Sequence, residues 1–314
     1  MSTEVDNTAA YCDGRHGPFH VQTAIYDWFD EERNREVPAK LYFPKDATGE
    51  LPLIIFSHGL GGTRQGYEYV GRHWASHGYI CVHVQHRGSD NETSKNTGKP
   101  SEALRKAAVS FENLYNRPKD VTFAIDHMEQ FNGDKSSEFH DRVNMDKVGV
   151  AGHSFGGYTA HAVSGRLIWG PEGIVDLHDK RIKACIAISA PARDTDEFRK
   201  SFEKFNKPCL HITGVHDTSP IGETKVEHRR LPFDSVKSRD HYLVNFSDAD
   251  HMVFTGKVWP GRDATVDVEI HRLVKAVTTL FWAAYLAGDK HARQLLMEDG
   301  LKTILGSKAL VEKK

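Results

Sequence analysis

The stretch VGVAGHSFGGYTA, residues 148–160, decides how the rest of the chain is read. A β-rich apolar run, Val148 to Ala151, stops at Gly152-His153-Ser154-Phe155-Gly156-Gly157 and then resumes with helical spacing. That pattern places a serine on a very tight strand-to-helix turn. Side chains at the flanking positions would meet neighbouring backbone, so glycine is required there. The following helix points its positive N-terminal end at the same spot. A serine hydroxyl does nothing alone at neutral pH. If Ser154 is a nucleophile, the chain must also supply a base, an acid and donors for an oxyanion, in a fixed order. A serine that is only a polar residue in a turn needs none of these.

Working outward from this turn, 20–30 and 36–44 alternate as two antiparallel strands. PLIIFSHGLGG (52–62) is a continuous apolar run ending in glycine, as expected of a strand buried on both faces. Helical spacing follows in 67–78, then a strand in 79–87 and a polar loop over 88–100. Residues 101–131 carry two helical patterns interrupted at Arg117-Pro118. Further strands are expected at 182–190, 208–214 and 241–251, and helices at 155–167, 198–205, 265–288 and 292–305. Strands alternating with helices predict an α/β protein with a mostly parallel central sheet of about eight strands and helices on both faces. Antiparallel strands sit at its N-terminal edge, and no insertion is long enough for a large lid. One domain over 1–314 is expected, with a core at about 20–287, a helical extension at 288–306 and a frayed tail at 307–314.

The partners of Ser154 can be sought in that order. One oxyanion donor is the N–H after the nucleophile, Phe155; the other belongs to the loop closing an early strand, where FSHGLGG (56–62) offers Leu60. The base must follow the last strand, where VNFSDADHMVF places His251. His241 precedes that strand, His271 lies inside the terminal helix, and His216 and His228 come too early. The acid must stand between Ser154 and His251 at a strand's carboxyl end. Asp217 in CLHITGVHDTSP is first choice because of its tight Gly-x-x-Asp turn; Asp194 in AISAPARDTDE is the runner-up, beside Asp196. Asp248 and Asp250 are read as surface or supporting groups.

Composition limits the alternatives. The chain is 39% hydrophobic and 27% charged, ordinary for a globular protein, and its net charge of -2 offers no field to recruit nucleic acid or an anionic membrane. No apolar stretch is long enough to span a bilayer, and the N-terminus shows neither a basic nor an apolar leader region, so a cytosolic location is expected. Cys12, Cys81, Cys185 and Cys209 show no metal-ligand spacing and read as reduced thiols, mostly within apolar runs. His73 and His77, spaced i, i+4, could share a metal, but no third ligand has matching spacing, so they read as a solvated helix face and no metal is expected.

The motifs FSHGLGG, GHSFGG, TGVHD and DADH, in this order, resemble the α/β-hydrolase superfamily over roughly residues 20–285. The branch they are most similar to holds plasma-type platelet-activating-factor acetylhydrolases, dienelactone hydrolases and cutinase-like polyester hydrolases. The resemblance implies an α/β-hydrolase fold and serine ester hydrolysis through an acyl-enzyme, without metal or organic cofactor. It carries Ser154, His251 and an aspartate as triad, with Leu60 and Phe155 as oxyanion donors. The chain departs from the family in three ways. It has Ser154 where dienelactone hydrolases have cysteine. It shows no leader, whereas plasma-type acetylhydrolases are secreted. It has no cysteine beyond Cys209, so the C-terminal disulfide of secreted polyester hydrolases is absent. Trp169, Met252, Phe254 and Trp259 are candidates to line an acyl pocket. The substrate expected is a small, soluble, short-acyl ester. The alternatives are a polyester- or lipid-acting hydrolase, an amidase, and a non-catalytic binding module on the same scaffold. The oligomeric state is not legible.

Overall fold

The structure, a computed structural model, describes residues 13–95, 97–221, 224–258, 261 and 263–314. Strand β3 (Leu51–Ser57) is buried at every position, as its unbroken apolar run requires of a strand covered on both faces. Around it the chain lays down β1 (Val21–Asp30), β2 (Arg35–Pro44), β4 (Ile80–Val84), β5 (Val143–His153), the short hairpin β6 (Ile168–Gly170) and β7 (Gly173–Val175), β8 (Ile182–Ile188), β9 (Cys209–His216), β10 (His241–Asp250) and β11 (Ala309–Lys313). The main sheet has nine strands in the order β1-β2-β4-β3-β5-β8-β9-β10-β11. The six from β4 to β10 are mutually parallel. β1 and β2 add antiparallel pairing at one edge, and β11 does so at the other.

The helices are α1 (Glu68–Ser76), α2 (Pro100–Val109), α3 (Phe111–Gly133), α4 (Phe155–Val163), α5 (Asp196–Ser201), α6 (Leu231–Ser235), α7 (Ala264–Trp282), α8 (Lys290–Met297) and α9 (Gly300–Leu305). They bury two apolar layers. On one face, Trp74 of α1 and Leu280, Phe281 and Trp282 of α7 pack on Phe56, Ile186 and Val244. On the other, Ile125 and Met128 of α3, Val163 of α4 and Phe202 pack on Ile55, Val150 and Cys185. At ~25 cal/mol per Å² of apolar area removed from water, such layers dominate the stabilisation.

Three expectations are corrected. The last residues, expected to fray, form β11, which completes the nine-stranded sheet. That strand is tied in place: the Lys314 N–H donates to the His241 carbonyl at 2.9 Å, and Arg230 pairs with Glu312 at 2.9 Å. The break within 101–131 falls at Ser110, and Pro118 sits inside α3. Proline lacks the N–H that would bond Leu114, and the Tyr158 hydroxyl donates to that carbonyl instead, at 3.2 Å. The segment 292–305 is two helices, α8 and α9, rather than one.

Candidate active site

The carboxyl ends of the parallel strands carry the site, as is usual in open α/β sheets. Ser154 follows β5 with φ 56° and ψ −121°, a strained backbone that only a crowded turn would hold. The motif glycines explain how the turn closes. A Cβ on Gly156 would stand 1.8 Å from the Ser57 carbonyl oxygen, and one on Gly152 would stand 2.2 Å from that of Gly156. The Ser154 N–H is itself fixed to the Ile188 carbonyl at 2.8 Å.

His251 and Asp217 meet Ser154 from two other strands. His251 Nε2 lies 2.9 Å from Ser154 Oγ, and His251 Nδ1 lies 2.7 Å from Asp217 Oδ1. A carboxylate only accepts, so Nδ1 carries the ring proton and the Nε2 lone pair faces the serine hydroxyl. His251 is delivered by an irregular end of β10 that leans on β9 where Gly214 stands; a Cβ there would be 2.2 Å from the Ala249 carbonyl oxygen. Asp250 caps the same bend, accepting the N–H groups of Met252 and Val253 at 2.9 Å each.

Asp217 is completely buried. Burial alone would push its pKa up, but the hydrogen bond from His251 and the charge of Arg229 outweigh it and hold the carboxyl well below the usual range. Thr213 Oγ1 donates to Oδ2 at 2.8 Å. Arg229, itself buried, reaches Asp217 Oδ1 at 3.1 Å with Nε and donates through Nη1 to the carbonyls of Ser189 and Ala190. Asp194, the runner-up acid, is exposed and paired with Arg199.

The loop 58–62, where the sequence places a candidate oxyanion donor, is fixed from below. The His86 N–H donates to His58 Nε2 at 3.0 Å, so the proton of neutral His58 is on Nδ1 and is given to the Gly59 carbonyl at 2.6 Å. Burial, reinforced by Arg117 and His86, keeps His58 neutral by pushing its pKa well down. With that carbonyl held toward His58, the trans peptide turns the Leu60 N–H to the opposite side. Neither the Leu60 nor the Phe155 N–H donates a hydrogen bond among the described residues. The loop abuts the nucleophile, since a Cβ on Gly59 would be 3.3 Å from Ser154 Cβ. Fully buried Arg117 braces this loop and Phe155 together: Nη2 donates to the His58 carbonyl, and the guanidinium carbon lies 4.4 Å from the Phe155 ring centre.

Leu60, Phe111, Leu114, Val175 and Leu177 form a half-buried apolar wall around Phe155, Tyr158 and Ile168. The pocket candidates fare unevenly. Trp169 is exposed on β6, with Nε1 donating to the Glu197 carbonyl at 3.1 Å. Met252 is half-buried beside His251. Phe254 is corrected: it is wholly buried in the core against Phe246 and offers no surface to a substrate. Trp259 lies outside the described residues. His73 is also corrected, being buried rather than solvated, with its ring 4.6 Å from that of His77. No described helix is long and apolar enough to cross a membrane.

Sequence reasoning missed Arg229, His58, Arg117, Tyr67 and His153. Tyr67 accepts from the Gly59 N–H at 3.3 Å and lies 2.8 Å from His153 Nδ1. His58 and His153 stand inside the quoted motifs, which was the one signal available for them.

The family described as platelet-activating factor acetylhydrolase, isoform II, matches residues 31–117. Among curated proteins, a platelet-activating factor acetylhydrolase of Canis lupus familiaris is 31% identical over 252 residues, covering 70% of this chain and 53% of that protein. A Bos taurus protein of the same name is 36% identical over 140 residues, covering 36% of this chain and 32% of that one. Cutinase est1 of Thermobifida alba is 24% identical over 254 residues, covering 78% of this chain and 67% of that protein. The chain thus spans about half the length, or less, of the two mammalian relatives. By its nine-stranded, mostly parallel sheet the chain has an α/β-hydrolase fold, and in sequence it is similar to the branch that holds the platelet-activating factor acetylhydrolases and the cutinases.

Proposed function

We propose that the chain is a serine carboxylic ester hydrolase that works through Ser154, His251 and Asp217. The observation that carries this reading is the unbroken relay from Ser154 Oγ to His251 Nε2 at 2.9 Å and from His251 Nδ1 to Asp217 at 2.7 Å. His251 takes the Ser154 proton as Oγ attacks the ester carbonyl. Asp217 fixes the imidazole tautomer and stabilises the imidazolium. The Leu60 and Phe155 N–H groups receive the developing oxyanion, a contribution typically worth ~3–4 kcal/mol per donor. His251 then protonates the leaving alcohol, and water, activated by the same imidazole, releases the acid. No step in this sequence calls for a metal or an organic cofactor.

The substrate class proposed is small esters with short acyl chains. The apolar wall of Leu60, Phe111 and Leu114 offers limited surface beside the nucleophile. A second reading, hydrolysis of lipid or polyester substrates, is favoured by exposed Trp169 and Ile174 on the β6–β7 hairpin next to that wall, and by the names of the relatives. Hydrolysis of p-nitrophenyl acetate and palmitate separates the two. Higher kcat/KM on acetate is expected; higher kcat/KM on palmitate would replace the short-acyl reading with the second.

A further inference from the structure

Away from Ser154, nearer the amino ends of β9 and β10, the sheet gathers a different set of side chains. In the parallel register Cys185 of β8 pairs with Cys209 of β9, and Cys209 with His241 of β10. His211, two residues along β9, shares the face of Cys209. His161 of α4 approaches from above, with Nε2 3.9 Å from Cys209 Sγ. All five residues are buried. The ligand atoms of Cys209, His211 and His241 lie within 4.8 Å of one another, as do those of His161, Cys185 and Cys209.

One of these two sets is already oriented for a ligand. The Ser238 hydroxyl donates to the Phe205 carbonyl at 2.9 Å, so its oxygen accepts from His241 Nε2–H at 2.9 Å. That leaves His241 Nδ1 unprotonated, 3.5 Å from His211 Nε2. This is too long for a strong hydrogen bond. It matches the spacing of roughly 3.5 Å between two nitrogens on a three-coordinate metal with bonds of about 2.0 Å. His161 Nδ1 in the other set has no such support.

The ion's charge and coordination number follow from the surroundings. Three ligands with one thiolate leave a monovalent cation neutral in the core, where net charge is costly. A divalent zinc ion with the same three ligands would leave a net positive charge in the core and would want a fourth ligand. Soft thiolate and imidazole donors suit both Cu⁺ and zinc, and the neutral three-coordinate count favours Cu⁺. We propose that Cys209, His211 and His241 form a trigonal Cu⁺ site, with Ser238 orienting His241. On binding, the Cys209 thiol releases its proton to solvent and a sulfur–copper bond forms; copper remains Cu⁺ and no electron is transferred.

The test uses the full chain carrying Cys12→Ser, which removes the one thiol that lies outside the described residues. The protein is titrated anaerobically with Cu⁺ against a chromophoric Cu⁺ chelator, both as purified and after refolding with Cu⁺ present. One equivalent is expected to be held, about 100-fold more tightly than by Cys209→Ser or His241→Gln variants, with Ser238→Ala weakened about 10-fold. Cys81 is present in every variant and serves as the internal control. His161→Gln is expected to retain the ion. Refolded protein that yields its copper to the chelator as readily as Cys209→Ser overturns the proposal. So does loss of binding in His161→Gln but not in His241→Gln.

Discussion

His153 Nε2 donates to the main-chain carbonyl of His251 at 3.0 Å, so the residue before Ser154 is bonded to the residue whose ring faces the Ser154 hydroxyl. A carbonyl only accepts, which puts the ring proton on Nε2 and leaves Nδ1 to accept from the Tyr67 hydroxyl at 2.8 Å. Tyr67 in turn accepts the Gly59 N–H. One chain of hydrogen bonds therefore joins the loop at Gly59, the turn at Ser154 and His251. Burial, with the neighbouring His251, pushes His153 well down and keeps it neutral. Tyr67→Phe removes both of its links. A kcat reduced about 10-fold with KM little changed is expected from loss of ~1–3 kcal/mol of buried hydrogen bonding. A lowered melting temperature with unchanged kcat would reduce Tyr67 to a purely structural part.

The two acid candidates are separable by substitution. Asp217→Asn keeps the shape but gives His251 the wrong tautomer, and a fall in kcat of roughly 10⁴-fold is expected. Asp194→Asn, which touches only the Arg199 ion pair, should stay within about twofold of the parent. Steady-state kinetics of both proteins decide; comparable losses in the two would contradict the assignment of the acid.

The elbow glycines make a steric prediction. Gly156→Ala would drive a Cβ to 1.8 Å from Ser57 backbone, so the variant is expected to lose more than ~3 kcal/mol or to fail to fold. Gly133→Ala, at the end of α3 with nothing within 4 Å, should be neutral or stabilised by up to ~1 kcal/mol. Urea unfolding of both variants against the parent checks the contrast.

Histidine burial predicts acid lability. His58, His153, His161 and His211 are held well below the ordinary value, as are His73 at about 2, His83 and His86 at about 3 and His241 at about 4, with desolvation the largest cause in each. Their folded pKa values lie below the unfolded value of about 6.5, so the unfolded chain binds protons first and stability falls as pH drops below that point. A histidine kept neutral loses about 2 kcal/mol between pH 7 and 5, so a total fall of at least ~4 kcal/mol is expected in that interval. Asp217 adds its share only lower down, below about pH 4. Urea midpoints that stay level from pH 7 to 5 would contradict this account.

What the sequence disclosed follows from which interactions are local. The strand–turn–helix at Ser154 was legible because the glycines that permit it are its immediate neighbours. The meeting of His251 and Asp217 with Ser154 was legible because chain order along a parallel sheet fixes which strand ends face one another. Arg229 was not: it lies in a polar stretch with no motif and reaches Asp217 only once β9 and β10 are side by side. The cysteines and histidines at 161, 185, 209, 211 and 241 have no spacing to betray them, since the sheet register alone assembles them. β11 was misjudged because a short charged C-terminal segment carries no periodic pattern, and its pairing partner lies more than sixty residues earlier. Phe254 was misplaced because an aromatic next to the base looks the same in sequence whether it faces a substrate or the core.

The central claim, that Ser154 is a nucleophile activated by His251, is tested most directly by covalent labelling. Intact-mass and peptide mapping after reaction with a fluorophosphonate should show one adduct, on Ser154, and none in Ser154→Ala or after a His251→Ala change within the same time. An unlabelled Ser154 in folded protein, or an adduct that forms equally fast without His251, would contradict the account.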